Sequence, residues 1–312
     1  MITVVIPTIG RRSLRRLLAA LGPDVDTIVV DDRPRFCPSL AVPPHVRVLR
    51  TGGRGPAAAR NAGWRAATTQ WVAFLDDDVL PPPWWMDALL TDLSGLDEGV
   101  AGSQGRLDVP LPAGRRPTDA ERNTAALMRA GWATADMAYR RDALEAVGGF
   151  DERFPRAYRE DADLALRLLK AGYRLVKGRR VTGHPVRDDG FWTSVRAQRG
   201  NADDALMRRL HGPGWRAAVG GAPGRLGRHA LTSTLGLAAG ALFLVGGGRA
   251  AGRVPAVAAG LGWLALTADF AWARVAPGPR TPAEILRMLV TSVVIPPVAC
   301  AHRLRGELRA RR

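Results

Sequence analysis

At 312 residues, with 46% hydrophobic and 24% charged side chains, the chain can bury a full core with room for an appendage. Its net charge of +16 is carried almost wholly by arginine, Lys170 and Lys177 being the only lysines. Such a balance suits anionic membranes, nucleic acid or phosphorylated substrates, and the lack of zinc-finger spacing or any other nucleic-acid motif leaves the membrane and phosphate readings. The two cysteines, Cys37 and Cys300, form neither a disulfide framework nor a CxxC pair, which fits a reducing compartment. Met1 leads straight into a strand-like segment, so no cleavable signal peptide is expected.

In chain order, Ile2–Thr8 reads as a β-branched strand closed at Pro7-Thr8, and Leu14, Leu17, Leu18 and Leu21 mark a helix stopped by Gly22-Pro23. Thr27–Val30 is a second strand with Asp31-Asp32 at its end. Val46–Leu49 is a third, followed by the loop Thr51–Pro56 and a helix over Ala57–Thr68 that carries Arg60 and Asn61. The apolar run Trp71–Leu75 then ends in Asp76-Asp77-Asp78. A continuous apolar run suits a strand buried on both faces of a parallel sheet. Three adjacent carboxylates repel one another unless water or a cation faces them, so the run reads as a strand delivering acids to a ligand crevice. Their oxygens suit Mg²⁺ or Mn²⁺ shared with a phosphate; the plain alternative is a solvated acidic turn.

Trp84–Leu93 is expected to be helical, and Gly102–Thr124, rich in Gly, Pro and Arg, to be loop. Trp132–Gly149 alternates small and polar residues before a helix at Arg141–Val147. A further helix opens at Glu160-Asp161, then Tyr173–Val176 and Arg180–Thr182 read as two short strands, and Phe191–Leu210 as an arginine-rich helical stretch.

Composition shifts near Arg228. Ala230–Gly248 is uncharged, Val254–Ala273 is broken only by Asp269, and each is long enough to cross a bilayer core of roughly 30 Å. The short connection Arg249–Arg253 implies a tight hairpin; the alternative is a pair of buried helices. Met288–Ala301 is shorter, contains Pro296-Pro297 and is flanked by arginines, which fits an interfacial helix. The arginine bias places both ends of the hairpin, and both termini, on the cytosolic side of the cytoplasmic membrane. Asp269 could pair with an arginine or face another helix.

Taken together, Val4–Thr8, Ile28–Asp32, Ala59-Arg60-Asn61-Ala62-Gly63, Phe74–Asp78, Gly148–Glu152 and Glu160–Leu164 occur in the order seen in family 2 glycosyltransferases, which the chain resembles over roughly residues 1–185. The resemblance implies an α/β GT-A fold, mostly parallel, in two halves at 1–100 and 101–215. A basic linker at 216–229, a transmembrane hairpin at 230–273 and a basic interfacial segment at 274–312 would follow. It also implies a nucleotide-diphosphate-sugar donor. Asp31 or Asp32 would take hydrogen bonds from the base, Pro7 and Thr8 would line that pocket, and Arg60 would lie near the nucleotide or the diphosphate. Asp76 would face the ribose or the metal, Asp78 would hold Mg²⁺ or Mn²⁺, and Asp77 would bind donor or hold the turn. Asp161 would be the general base of an inverting reaction, or else a helix N-cap, with Glu160 orienting it or binding acceptor. His184 could be a further metal ligand or structural. Asp136 and Trp84 could touch the acceptor, their alternatives being a loop acid and core packing.

A Gln-x-x-Arg-Trp signature is absent, with Arg196-Ala197-Gln198-Arg199-Gly200 only loosely in its place, which favours transfer of a single hexose or deoxyhexose over polymerisation. The expected acceptor is a lipid-linked or cell-envelope glycan at an anionic membrane. Two other readings compete: a sugar-phosphate nucleotidyltransferase, disfavoured because Pro7-Thr8-Ile9-Gly10 is not a glycine-rich basic loop, and a non-catalytic membrane partner retaining a sugar-nucleotide fold.

Overall fold

The computed structural model describes residues 2–34, 37–187, 190–245 and 250–310. They fall into two compact units, one of Met1–Pro110, Thr124–Val186 and Trp215–Gly221, the other of Leu111–Asn123, Arg187–Gly214 and Ala222–Arg312. The elements begin β1 (Ile2–Thr8), α1 (Leu14–Leu21), β2 (Thr27–Asp31), β3 (Arg47–Arg50), α2 (Pro56–Ala66) and β4 (Trp71–Leu75). There follow α3 (Trp85–Leu93), β5 (Val100–Asp108), α4 (Asp119–Ala125), β6 (Asp136–Arg140), α5 (Arg141–Ala146), α6 (Glu160–Lys170) and β7 (Arg174–Gly183). The chain ends in α7 (Thr193–Arg196), α8 (Gly200–His211), α9 (Trp215–Ala218), α10 (Leu226–Val245), α11 (Ala250–Val275) and α12 (Pro282–Ala310).

The first unit is built on one sheet of order β3-β2-β1-β4-β6-β5-β7. The β3-β2, β2-β1, β1-β4 and β5-β7 pairs are parallel, and β6 is antiparallel to both its neighbours. Every residue of β2 and β4 is buried, as their unbroken apolar runs require when helices cover both faces. Strand order reverses between β1 and β4, so a crevice opens beyond their carboxyl ends at the topological switch point. Thr8, Asp31 and the acids after Leu75 all emerge at this edge.

Two expectations are corrected. The stretch Gly102–Thr124 is not all loop, because Val100–Asp108 forms β5. Its glycines answer close packing: a Cβ on Gly102 would stand 2.7 Å from the Tyr139 ring, and one on Gly105 2.3 Å from Asp136 Oδ2. The two short strands expected at Tyr173–Val176 and Arg180–Thr182 are one strand, β7, whose pairing with β5 shifts register between them. Gly63 has a similar role on α2, where a Cβ would come within 2.2 Å of Val5 Cγ1 on β1. The helix therefore lies almost directly on the strand.

Among its described residues the second unit holds three helices long and apolar enough to cross a membrane, Leu226–Val245, Arg253–Val275 and Pro282–Ala310. The end of the first apolar run at 246–248, and Arg249 of its connection, lie outside the described residues. Asp269 on α11 finds Arg228 on α10 at 3.2 Å. Arg274, at the end of α11, donates to Thr291 and Ser292 of α12 and to Asp119 and Ser194. Met288–Ala301, expected as a short segment, is the middle of the continuous helix α12.

Candidate active site

The turn after β4 separates its three carboxylates by direction. Asp77 is buried and braces the loop after β1, accepting from Thr8 Oγ1 and Arg11 Nη1, each at 2.5 Å. It holds the turn, and with both oxygens engaged it is not presented to a donor. Asp78 has the same Arg11 guanidinium at 3.8 Å. Asp76 keeps part of its carboxylate in solvent and accepts from Arg60 Nη2 at 2.9 Å.

Arg60 is the hub. It projects from α2, is 1% exposed, and forks between Asp76 and Glu160, whose Oε1 accepts from its Nη1 at 2.6 Å. Phe150 lies against its guanidinium, 5.7 Å from centroid to Cζ. The sequence reading expects Arg60 near the nucleotide or the diphosphate; its guanidinium lies between the triplet and the Glu-Asp helix. Asn61 clamps the glycine turn before Phe150, donating to the Phe150 carbonyl and accepting from its N–H, which is a structural role.

Glu160 and Asp161 open α6. Arg159 before them is the N-cap, in the left-handed region at φ 81° and stacked on Tyr158 and Trp215. Such a backbone is uncommon for a residue with a Cβ and is found preferentially at functional sites. Asp161 is thus inside the first turn instead of capping it, and its Oδ1 accepts from the Ala162 N–H at 2.7 Å. Burial pushes the Asp161 carboxyl above its ordinary range, against the pull of that N–H and of Arg60 and Arg159. Burial likewise pushes Glu160 up to about 7, opposed by Arg60. Arg60 Nε, Glu160 Oε2 and the Tyr139 hydroxyl are buried here without a hydrogen-bond partner in the protein, the kind of unsatisfied cluster that marks a working site. A base raised by burial must lose its proton before it can act. Turnover is therefore expected to fall on the acid side at a pH above the usual carboxylate range, which a kcat/KM–pH profile checks.

The two acids at the end of β2 have partners of their own. Asp31 is fully buried and clasped by Arg33 Nε and Nη2 at 2.8 and 2.9 Å, which holds its carboxyl below the usual range. Asp32 gathers the next loop, accepting from Thr51 Oγ1 and from the N–H groups of Gly53, Arg54 and Gly55. Pro7 and Thr8 sit beside this pair in β1, with Thr8 directly opposite Asp31. The sequence reading missed Arg11 and Arg33; only their position just past a strand end distinguished them from many other arginines.

Two expected acceptor contacts part company. Asp136 is in the core, its carboxylate taken by Trp85 Nε1, Arg180 Nε and Thr182 Oγ1, so it is a structural acid and not a loop contact. Trp85 is buried, while Trp84 is 53% exposed. His184 is buried beyond the Leu80–Gly183 bridge, its N–H on the Asp108 carbonyl. Among the described residues no three His, Cys, Asp or Glu side chains form a preassembled metal site, so the set Asp76, Asp78 and His184 is not one. The donor chemistry still fits a hard divalent cation. Mg²⁺ is commonly held by one or two carboxylates, with substrate phosphates and water completing its shell, and Asp76 and Asp78 supply that number.

A crevice at the switch point of a sheet, an acid turn on one side and an acid pair on the other, Glu160 buried and Asp161 half-buried, describe a GT-A fold. Residues 3–148 match the model of Glycosyl transferase family 2. It is 37% identical over 195 residues to a pre-mycofactocin glycosyltransferase of Mycobacterium tuberculosis, covering 56% of this chain and 40% of the relative. It is 43% identical over 72 residues to the succinoglycan biosynthesis protein ExoO of Rhizobium meliloti, covering 22% and 21%. The chain therefore spans less than half the length of these relatives. A mannosyltransferase from Pyrobaculum calidifontis, solved with GDP-Man and Mn2+, shares the fold over 98% of this chain and 86% of its own, at TM-score 0.51 and 18% identity.

Proposed function

We propose that this chain is an inverting, metal-dependent glycosyltransferase that moves one sugar from a nucleotide-diphosphate-sugar to a hydroxyl of a lipid-linked or cell-envelope glycan. The observation that carries this reading is the buried fork of Arg60, which ties the partly exposed Asp76 to Glu160 beside Asp161. One cation thereby links the donor-side turn to the helix bearing the proton acceptor. The relatives named for glycosyl transfer and the family match support the same reaction class.

In this reading Asp76 and Asp78 would hold Mg²⁺ or Mn²⁺. A bound cation there would stabilise the charge that builds on the departing nucleoside diphosphate. Asp161 takes the proton of the attacking hydroxyl on the opposite face of the sugar, giving inversion. Glu160, fixed by Arg60, sets the position of the first turn of α6. Asp31 with Arg33 forms the wall that reads the base. Trp84 remains a candidate acceptor platform because it is exposed, and a sugar can stack on its ring.

The full chain, purified in detergent and given a panel of sugar nucleotides with Mn²⁺ or Mg²⁺, should release nucleoside diphosphate with at least one donor. Excess EDTA should reduce that rate at least about 10²-fold, and Mn²⁺ should restore it. Undiminished turnover in EDTA would remove the metal role of Asp76 and Asp78. Binding of a sugar nucleotide without any turnover, across donors and lipid extracts, would favour the non-catalytic partner.

A further inference from the structure

α12 meets the length and composition of a membrane span, yet its neighbours describe another placement. Along one face Met288, Thr291, Ser292, Ile295, Ala299 and Gly306 are buried within the second unit. The segment covering that face is charged and runs beside the helix for most of its length. Arg287 donates to the carbonyls of Gly190 and Phe191 at one end. At the other, a Cβ on Gly306 would stand 2.5 Å from the Ala202 carbonyl oxygen. From Arg287 to Gly306 is about 28 Å of helix at 1.5 Å per residue, the thickness of a hydrocarbon core. If α12 crossed a bilayer, Arg196, Arg199, Asp203 and Asp204 would be carried into it.

The opposite face is apolar and unpartnered. Leu286, Leu289, Val293, Pro297, Leu304 and Leu308 recur at helical spacing and are all exposed, Leu304 by 62%. Exposed arginines rim the stripe at Arg280, Arg305 and Arg309. The middle of α12 also meets α10 and α11 at one particular level. Cys300 lies 3.9 Å from Ser233, about one turn beyond Arg228, and Thr291 and Ser292 accept from Arg274. Both contacts fall at the arginine-bordered end of the two apolar helices. The far end leaves Leu237, Phe243, Leu244 and Val245 almost bare. Trp272 and Trp192, the residue types enriched at headgroup level, are exposed on α11 and just before α7.

We infer that α12 lies in the plane of an anionic membrane surface at the foot of the α10–α11 pair, its leucine stripe in the leaflet and its arginines among the headgroups. This surface carries the chain's positive charge to lipid phosphate and leaves α10 and α11 as the only helices of the three that enter the hydrocarbon. It does not depend on the proposed reaction.

The test is depth. Full chains with Cys37→Ser and Cys300→Ser, each bearing one of Leu289→Cys, Val293→Cys, Leu304→Cys or Leu308→Cys, are spin-labelled and reconstituted in mixed phosphatidylcholine–phosphatidylglycerol vesicles. All four labels should collide readily with oxygen, poorly with a water-soluble nickel chelate, and report one shallow depth. In vesicles lacking phosphatidylglycerol, the Leu304 and Leu308 labels should move toward water, and Arg305→Glu with Arg309→Glu should cause the same shift when the anionic lipid is present. A depth that passes from one headgroup region through the bilayer centre would establish a third span and overturn the inference. Ready collision with the nickel chelate at every position, or poor collision with both reagents as in a contact between copies, would overturn it equally. These readings require folded protein but no turnover, so an inactive preparation leaves them intact.

Discussion

An Asp161→Asn chain should bind donor as the wild type does and lose about 10²–10⁴-fold in kcat, the range over which a positioned general base accelerates proton transfer. The amide keeps the shape of the side chain and can still meet the Ala162 N–H, so the loss would report the missing proton acceptor and not a displaced helix. Steady-state kinetics with the best donor, beside a thermal-shift titration with the same nucleotide, separates the two. Wild-type kcat in this variant would assign the proton to another group. A broad loss of donor affinity would make Asp161 a binding residue.

The second large effect concerns Arg60. Replacing it with methionine leaves Asp76 and Glu160 without their shared cation, and breaking a buried ion pair by removing one partner typically costs about 3–5 kcal/mol. The apparent Tm should fall on the order of 10 °C, read by differential scanning fluorimetry. The deficit should depend on pH with a definite sign. Burial pushes the Glu160 carboxyl up to about 7 from its ordinary 4.5, so its protonated form is the one the fold prefers. That preference is fully present below the ordinary value and is lost as pH rises through the folded one. Without Arg60 the folded value rises further, so the two proteins should run in parallel in mild acid and the variant should fall progressively behind wild type as pH climbs through about 7. Adding Glu160→Gln, which removes the orphaned charge, should recover much of the loss. A double variant no better than the single would deny the pair its role as a strut.

The sequence made the first half of the molecule legible because its signals are local. Unbroken apolar runs gave β1, β2 and β4, and the acids at their ends fell on one sheet edge because parallel strands share a direction. The second half of the sheet was harder. β5 carries Gly102 and Gly105, which read as loop until the aromatic ring and carboxylate pressed against them are seen. Asp136 read as a site acid because nothing near it in sequence foretells Arg180, which comes from β7 to meet it. The order of motifs named residues that the fold brings to one region, but not their partnerships. Arg60 was expected to face the ligand and faces two carboxylates, because a buried arginine's direction depends on helix-to-sheet distance, which no spacing along the chain encodes. The aspartate triplet likewise divides its labour only through Thr8 and Arg11, residues about seventy positions earlier.

That distance has a definite author in the chain. Gly63 sits one turn beyond Arg60 on α2, and Val5 occupies the space where its side chain would begin. The separation of the two layers is thus measured by the absence of a single methyl, and the arginine's reach to Asp76 and Glu160 is calibrated by it. A residue with no functional group of its own sets the gauge at which the charged groups meet, so the electrostatic design of the site is downstream of a purely steric fact. Any sequence change that widened this seam would detune the site while leaving every charged residue in place.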